Sequence, residues 1–434
     1  MGTPLPAAGT MIIYNCIMSL AALVIRAVGK RKELRAWLRA RSTKACRFVD
    51  GQQGLLKRIA SEMAQETGEV YWFHAASFGE YNVIRPVIRQ LRKDGRKIVL
   101  TFFSPSGYEA VTARNRRQEE VDHIFYLPLD TARNARRFIQ LVHPAKAVFA
   151  ISEYWINYLN ELRKRGIPVF QVSMSVRAGS YLTQWYGYPI RRALRAMHTM
   201  MVLDEGSKQR LGEMGFSNVI VTGDPLFDNA IATAADKYNN ALIARFAATA
   251  DGLLVAGSIS DRQDLGIVAS LANSHKDLKC LFVPHELSEA VLRITEESVE
   301  GKALRCSQCD EHTKLDDVQV LIVDFMGQLA RIYRYGRWAY VGGGFTPYLH
   351  SVIEPVVYGM PVAYGPQVER KPVAEKMADM GIGCVVTTPQ EADAWLARVR
   401  QSDTLQQIQQ QAAAFTAKQA GATQCVADII SQTS

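Results

Sequence analysis

No second CxxC pair joins Cys306 and Cys309. A structural zinc site built on such pairs draws on two of them, so the lone pair reads as two thiols on a loop near solvent. A redox pair of the thioredoxin kind would follow the first strand of its unit, and this one does not. The seven cysteines are scattered and odd in number, which suits a reducing compartment rather than a disulfide framework. Net positive charge is scarce outside one window. The net charge is +9, and the stretch 26–47 holds nine basic residues against the single acid Glu33, so the rest of the chain is nearly neutral. A net excess confined to a window beside an apolar run argues against a nucleic-acid partner. The dinucleotide glycine spacing is missing, and no Asp-x-Asp pair of the metal-binding sort stands at a strand end. "LDD" at 315–317 lies in a polar connector and reads as a solvated turn, so no metal is expected.

Directly before the basic window stands "MIIYNCIMSLAALVI", residues 11–25, apolar apart from Asn15 and Ser19. Fifteen residues fall short of the roughly 20 that cross a bilayer. A cleaved signal peptide would carry its charge ahead of the apolar run, whereas "MGTPLPAAGT" is uncharged. Residues 1–48 therefore read as a membrane-associated segment, a helix in the interface of an anionic membrane with its basic side in the cytoplasm. A buried helix of the first domain is the alternative.

The 434 residues, 48% hydrophobic and 21% charged, suit two soluble domains with ample cores. After Gly51, short apolar runs alternate with amphipathic stretches. "EVYWFHAA", "KIVLTFF", "HIFYLPL", "AKAVFAI", "IPVFQVSM" and "MMVL" read as strands with helices between them. Pro86 is expected to kink the first of these helices or confine its regular part to the residues after the proline. A second cycle runs through "GLLVAGS", "KCLFVPHE", "VQVLIVDF", "WAYVGGG", "PVAYGP" and "CVVTTP". The expected division is 49–225 and 251–410, two facing Rossmann-like α/β domains, with a linker at 226–250 and a C-terminal helix at 411–434. Ligands of such sheets bind beyond the carboxyl ends of the strands.

Three strand ends are chemically loaded. In "HAASFGE" a strand ends in small residues and Glu80 stands at the start of a helix. That carboxylate reads equally as a complement to the helix dipole or as a catalytic group. In "ISEYWINYL" Glu153 follows an apolar run, placed for a site or for capping the next helix. In "YVGGGFTPYLHSVIEPVVYGMPVAYGP" three glycines follow a strand, and Glu354 lies about one turn into the next helix. Loop amides around Gly343 and Gly344 would hold a phosphate, and Glu354 a pair of ribose hydroxyls.

"HAASFGE", "SEYWINYL", "VTGDPLFD", "VPHE" and "GGGFTPYLHSVIEPVVYGMPVAYGP", in that order, resemble the 3-deoxy-D-manno-octulosonic acid (Kdo) transferases from about residue 11 to the end. The resemblance implies a GT-B type inverting glycosyltransferase anchored to the cytoplasmic side of the inner membrane. It would move Kdo from CMP-Kdo onto a lipid A precursor (lipid IVA) in lipopolysaccharide biosynthesis, without a cofactor. It assigns the catalytic base to Glu80, and nucleotide contacts to Pro284 and His285, to Gly327, Gln328 and Leu329, and to Ser351 through Glu354. It also implies a natural start at Met11, with residues 1–10 an extension.

This sequence departs from the family pattern at four places. Leu226 stands where a basic residue is usual, Ser351 where Asn is usual, and Ile151 where a charged residue is common. The "AGS" motif leads to Gln263 and Asp264 instead of an acidic pair. Arg177 and Arg262 are candidates to supply the missing positive charge. A scaffold turned to another nucleotide sugar or acceptor, or a silent paralogue that binds lipid or nucleotide without transfer, are the alternatives these departures raise.

Overall fold

The computed structural model describes residues 7–433 apart from 116 and 118, and the expected extension at 1–10 lies mostly outside them. Among the described residues fourteen strands form two all-parallel, seven-stranded sheets. The first holds β1 (Val70–Ala75), β2 (Lys97–Phe102), β3 (His123–Tyr126), β4 (Lys146–Ala150), β5 (Val169–Met174), β6 (Thr199–Val202) and β7 (Val219–Val221), in the order β3-β2-β1-β4-β5-β6-β7. The second holds β8 (Leu253–Ile259), β9 (Lys279–Pro284), β10 (Ala303–Arg305), β11 (Val320–Ile322), β12 (Trp338–Val341), β13 (Val362–Tyr364) and β14 (Gly383–Val385), in the order β10-β11-β9-β8-β12-β13-β14. Strand order reverses between β1 and β4 in one sheet and between β8 and β12 in the other, which defines a switch point in each.

Central strands read as continuous apolar runs because helices cover both faces of a parallel sheet. All six residues of β1 are buried. Its Trp72 packs among Phe138, Phe149 and Tyr158 on one side of the sheet, while Tyr71 and Phe73 join Ile84 and Val87 of the helix Phe78–Lys93 on the other. That helix continues through Pro86, so the proline does not mark its start. A proline inside a helix costs about 3 kcal/mol, and burial of Tyr81, Val83, Ile84, Val87, Ile88 and Leu91 more than offsets it.

The chain divides into two compact units, residues up to Asn229 together with the stretch from Gly421, and Ala230–Ala420. The segment 411–434 is therefore divided. The helix Ser402–Gln419 belongs to the second unit, whereas Ala422–Gln432 returns to the first. Its Val426, Ala427 and Ile430 share an apolar cluster with the helix Phe78–Lys93, and Lys146 Nζ donates to the Ile430 carbonyl at 2.6 Å. The stretch 226–250 is largely helical, with Pro225–Ala234 and Ala241–Ala247. Asp236 between them is tied to Arg331 at 2.5 Å and Arg334 at 2.7 Å, so this stretch is fastened within the second unit.

The N-terminal helix spans Ala7–Lys30, and its part Met11–Lys30 is long and apolar enough to cross a membrane. Helix continues past the fifteen apolar residues into Arg26 and Lys30, which is why the apolar count alone understates its length. The buried-helix alternative fails on exposure: Ile12, Ile17, Leu20 and Leu23 are each 60–64% exposed. One edge does dock. Met11 and Tyr14 pack on the first unit, the Tyr14 hydroxyl donates to Asp130 at 2.5 Å, and Asn157 donates to the Asn15 side chain at 2.8 Å. The two polar side chains in the apolar stretch nearest its start thus fix the helix to the unit.

Candidate functional site

In the first unit the site grows from the two strand ends that flank its switch point. Ser77 caps the helix Phe78–Lys93, its hydroxyl accepting from the Glu80 N–H at 3.4 Å. Glu80 reaches back, and its Oε2 accepts from the Ala76 N–H at 2.6 Å. The N–H of Ser77 also reaches this carboxylate, which completes the reciprocal contacts of a capping box and turns Glu80 toward the carboxyl end of β1. Glu80 is half-buried. Burial, and next the charge of Glu153, raise its pKa to about 8, although backbone N–H groups of Ala76 and Ser77 oppose the rise.

Glu153 comes from the loop after β4. That loop begins at Ile151, a β-branched residue with φ +57° whose N–H donates to Val172 at 2.8 Å. A β-branched residue in the left-handed region is strained by about 1–3 kcal/mol, and the turn it makes directs Glu153 across to the neighbouring strand end. The Trp155 indole N–H donates to Glu153 at 2.8 Å and to His74 Nε2 at 2.9 Å. Glu80 and Glu153, named from separate motifs, are thus neighbours.

Around Glu80 the backbone is open. A Cβ built on Gly79 would meet only Ser77 Oγ, at 3.9 Å, so no protein contact requires glycine there. Leu226, by contrast, packs its side chain on the apolar cluster of the first unit, and its N–H donates to Asp224 at 3.0 Å. Asp224 also accepts from Ser173 Oγ at 3.2 Å, where β5 bulges with φ +57° at Ser173. The TGDP turn is therefore fastened to the end of β5 with no cation at position 226. Arg177 lies half-buried in the loop after β5, and Arg262 is exposed at the start of the helix Arg262–Ser274 in the second unit.

In the second unit the glycine loop follows β12, and it is pinned rather than free to wrap a ligand. Gly342 donates to Gly257, and Gly343 donates to Asp264 at 2.7 Å. Asp264, fully buried, also accepts from Tyr340 at 2.8 Å and Ser260 at 3.1 Å. Burial raises its pKa. Gly343 adopts φ +86°, and a Cβ on Gly344 would lie 2.5 Å from the Gly365 nitrogen. Only glycine fits these positions, and the Gly343 amide is taken by Asp264. Among the three glycines, then, close packing explains what the sequence suggested as phosphate wrapping, and amides beyond Gly343 are the ones left for an anion.

Residues named as nucleotide contacts stand at the carboxyl ends of β9, β11 and β12. Pro284 closes β9 and His285 is exposed just beyond it, its ring 4.5 Å from that of His350. Gly327, with φ +82°, and Gln328 precede the short helix that opens at Leu329. Gln328 Oε1 and Ser351 Oγ are buried without a hydrogen-bond partner among the described residues. Burial pushes the Glu354 carboxyl up to about 7, against the opposing charge of Lys371. His350 is pushed down to about 4 by burial, by His285 and by Lys371, and its Nε2 lies 2.9 Å from Ser260 Oγ. Lys371, Ser260 and Tyr333 joined this group without a sequence signal, because helix caps, strand-end serines and buried tyrosines resemble ordinary structural residues. Among the described residues no group of three or more His, Cys, Asp or Glu side chains is arranged to hold a metal ion.

The family described as "3-Deoxy-D-manno-octulosonic-acid transferase (kdotransferase)" matches residues 52–229, which lie in the first unit with Glu80 and Glu153. The 3-deoxy-D-manno-octulosonic acid transferase of Chlamydia trachomatis serovar A is 26% identical over 331 residues, 74% of this chain and 75% of that protein. The corresponding transferase of Haemophilus influenzae is 28% identical over 307 residues, 68% and 70% of the two chains. Among solved structures, MurG of Acinetobacter baumannii superposes with a TM-score of 0.54 at 13% identity, covering 85% of this chain and 100% of that one, a likeness of fold. With two parallel seven-stranded sheets the fold is of the GT-B type. The chain is a glycosyltransferase, similar to Kdo transferases over about three quarters of its length.

Proposed function

We propose that the protein transfers Kdo from CMP-Kdo to a hydroxyl of a lipid A precursor with inversion at the anomeric carbon, and that Glu80 is the general base. The observation that carries this reading is a single carboxylate, oriented by a capping box, raised to about 8 and set beside Glu153 at the switch point of the sheet. A sugar hydroxyl titrates far above neutral, so its proton must leave as the new bond forms, and a base of raised pKa takes it more readily. Glu80 accepts that proton, the hydroxyl oxygen bonds to the anomeric carbon, and the bond from that carbon to the CMP phosphate breaks with its electron pair on the phosphate. In the second unit, Glu354 takes the ribose hydroxyls, Gln328 Oε1 and Ser351 Oγ gain the partners they lack, and amides beyond Gly343 take the single phosphate. No metal is assigned a step.

The exposed apolar face of the helix Ala7–Lys30 and the basic residues after it fit a lipid acceptor at the cytoplasmic face of the inner membrane. Leu226, packed on apolar side chains where family members carry a cation, favours a second reading, a shifted donor or acceptor on the same scaffold. Thin-layer analysis of the purified protein with CMP-Kdo and a tetra-acylated lipid A precursor tests both. Slower-migrating lipid with release of CMP supports the first, and no product with this pair supports the second.

A further inference from the structure

We infer that His74 is a positioning residue for the transfer reaction: from beneath the ends of β1 and β4 it clamps Trp155, and through Trp155 it holds Glu153 against Glu80. The inference rests on the assignment of Glu80 as base.

His74 is wholly buried, the fifth residue of β1, in register with Thr101 of β2 and Phe149 of β4. Its Nδ1 lies 2.9 Å from Thr101 Oγ1. That oxygen also accepts from Trp72 Nε1 at 2.8 Å and donates its one proton to the Phe73 carbonyl at 3.3 Å. On the other side of the ring, Nε2 receives the Trp155 N–H at 2.9 Å. An indole N–H only donates, so Nε2 is an acceptor and the ring proton sits on Nδ1. The two rings meet edge to face at 5.6 Å and 86°. Trp155 shares its one N–H between His74 and Glu153, and Glu153 Oε2 lies 3.5 Å from Nε2. A chain of polar contacts thus runs from the interior of the β1–β2 pair out to the second carboxylate.

Buried polar networks of this kind fix geometry because leaving any member unpaired is costly. What they fix here is the separation of two carboxylates. Glu80 faces Glu153 and the N–H groups of Ala76 and Ser77, while Glu153 faces Trp155, His74, Tyr154 and Tyr181. A Glu153 kept close raises the basicity of Glu80, and a Glu153 released toward solvent does not.

The test is the dependence of kcat/KM on pH for three variants of the full chain. His74→Phe keeps a ring but removes both nitrogens. Its ascending limb should move to lower pH by about half a unit or more, and its turnover should fall about tenfold or more. His74→Gln places an acceptor near the position of Nε2 and should restore the limb. Trp155→Phe lies outside the sheet core, keeps the fold if His74→Phe does not, and should shift the limb the same way. A limb unmoved in the folded variants, with Glu80→Gln inactive, overturns the role of His74 alone. Normal turnover in Glu80→Gln overturns the base assignment beneath it.

Discussion

The Glu80 carboxylate accepts a hydrogen bond from the Ala76 N–H at 2.6 Å, so the side chain assigned as the base is also a helix cap. Capping and the base role proposed for Glu80, which the sequence leaves as rivals, are compatible with one geometry. The cap supplies orientation, and burial beside Glu153 supplies basicity.

That double role has a signature in stability. The folded-state pKa of Glu80 is raised to about 8 from an ordinary value of 4.5, so the native state binds this proton more tightly than the unfolded chain. Its contribution is full below the ordinary value and is lost as pH rises through about 8. Glu80→Gln keeps an oxygen for the Ala76 N–H but does not titrate. Melting curves should show the variant close to the parent near pH 5 and more stable than it near pH 9. Parallel curves at both pH values would mean that Glu80 is not a buried, proton-retaining group.

Gly79 is open to a Cβ within the protein. Alanine is favoured over glycine in a helix by up to about 1 kcal/mol, so Gly79→Ala should raise the melting temperature slightly. If small residues are there to admit the acceptor, the same change should raise KM for the lipid acceptor several-fold and leave CMP affinity alone. Unchanged acceptor kinetics would assign the glycine no part in binding.

Glu354 should hold the ribose hydroxyls only when ionised, and its pKa is raised to about 7 by burial. Hydrogen bonds to a charged group contribute about 1.5–3 kcal/mol, so Glu354→Gln should weaken CMP binding at least about tenfold at pH 8. The gap should narrow at pH 6, where the parent carboxyl is largely protonated. Calorimetry showing equal CMP affinity at pH 8, or tighter binding of UDP than of CMP, would contradict this assignment.

Ile17, Leu20 and Leu23 are exposed, whereas Tyr14 and Asn15 fasten the same helix to the first unit. Replacing the three exposed residues with serine should therefore release the protein from anionic vesicles without loosening the helix. Each such side chain contributes about 1.5–3 kcal/mol when buried, so the partition coefficient should fall more than about a hundredfold. Tyr14→Phe should do the opposite, sparing vesicle binding and exposing the helix to limited proteolysis. Sedimentation unchanged by the triple serine variant would leave the apolar face no role in attachment.

The α/β architecture was legible because buried parallel strands are long apolar runs, and β1 is the plainest case. The two strands missing from the sequence reading, β7 and β10, are three-residue edge strands, partly exposed and paired on one side only, so no run marks them. Glu80 and Glu153 could be named because carboxylates directly after apolar runs stand out. Their adjacency could not be, since it depends on β1 and β4 pairing across 70 residues of intervening chain. His74 read as the end of a strand, and Asp264 as part of a weakened acidic motif. Each is a buried polar group whose partners lie on other strands, Thr101 for one and the Gly343 amide for the other. The glycine triplet misled in the opposite direction: it looked like a flexible loop, and the Ser258 and Gly365 backbones packed against it make it a rigid one.

Whether Glu80 removes the acceptor proton is decided by single-turnover transfer in Glu80→Gln with bound CMP-Kdo. A positioned general base contributes about 10²–10⁴-fold. Transfer should therefore slow by at least about a hundredfold, with CMP affinity unchanged because Glu80 lies in the first unit and the assigned nucleotide contacts in the second. Transfer at the parent rate, with the capping bond retained, would leave Glu80 a helix cap and pass the search for the base to Glu153.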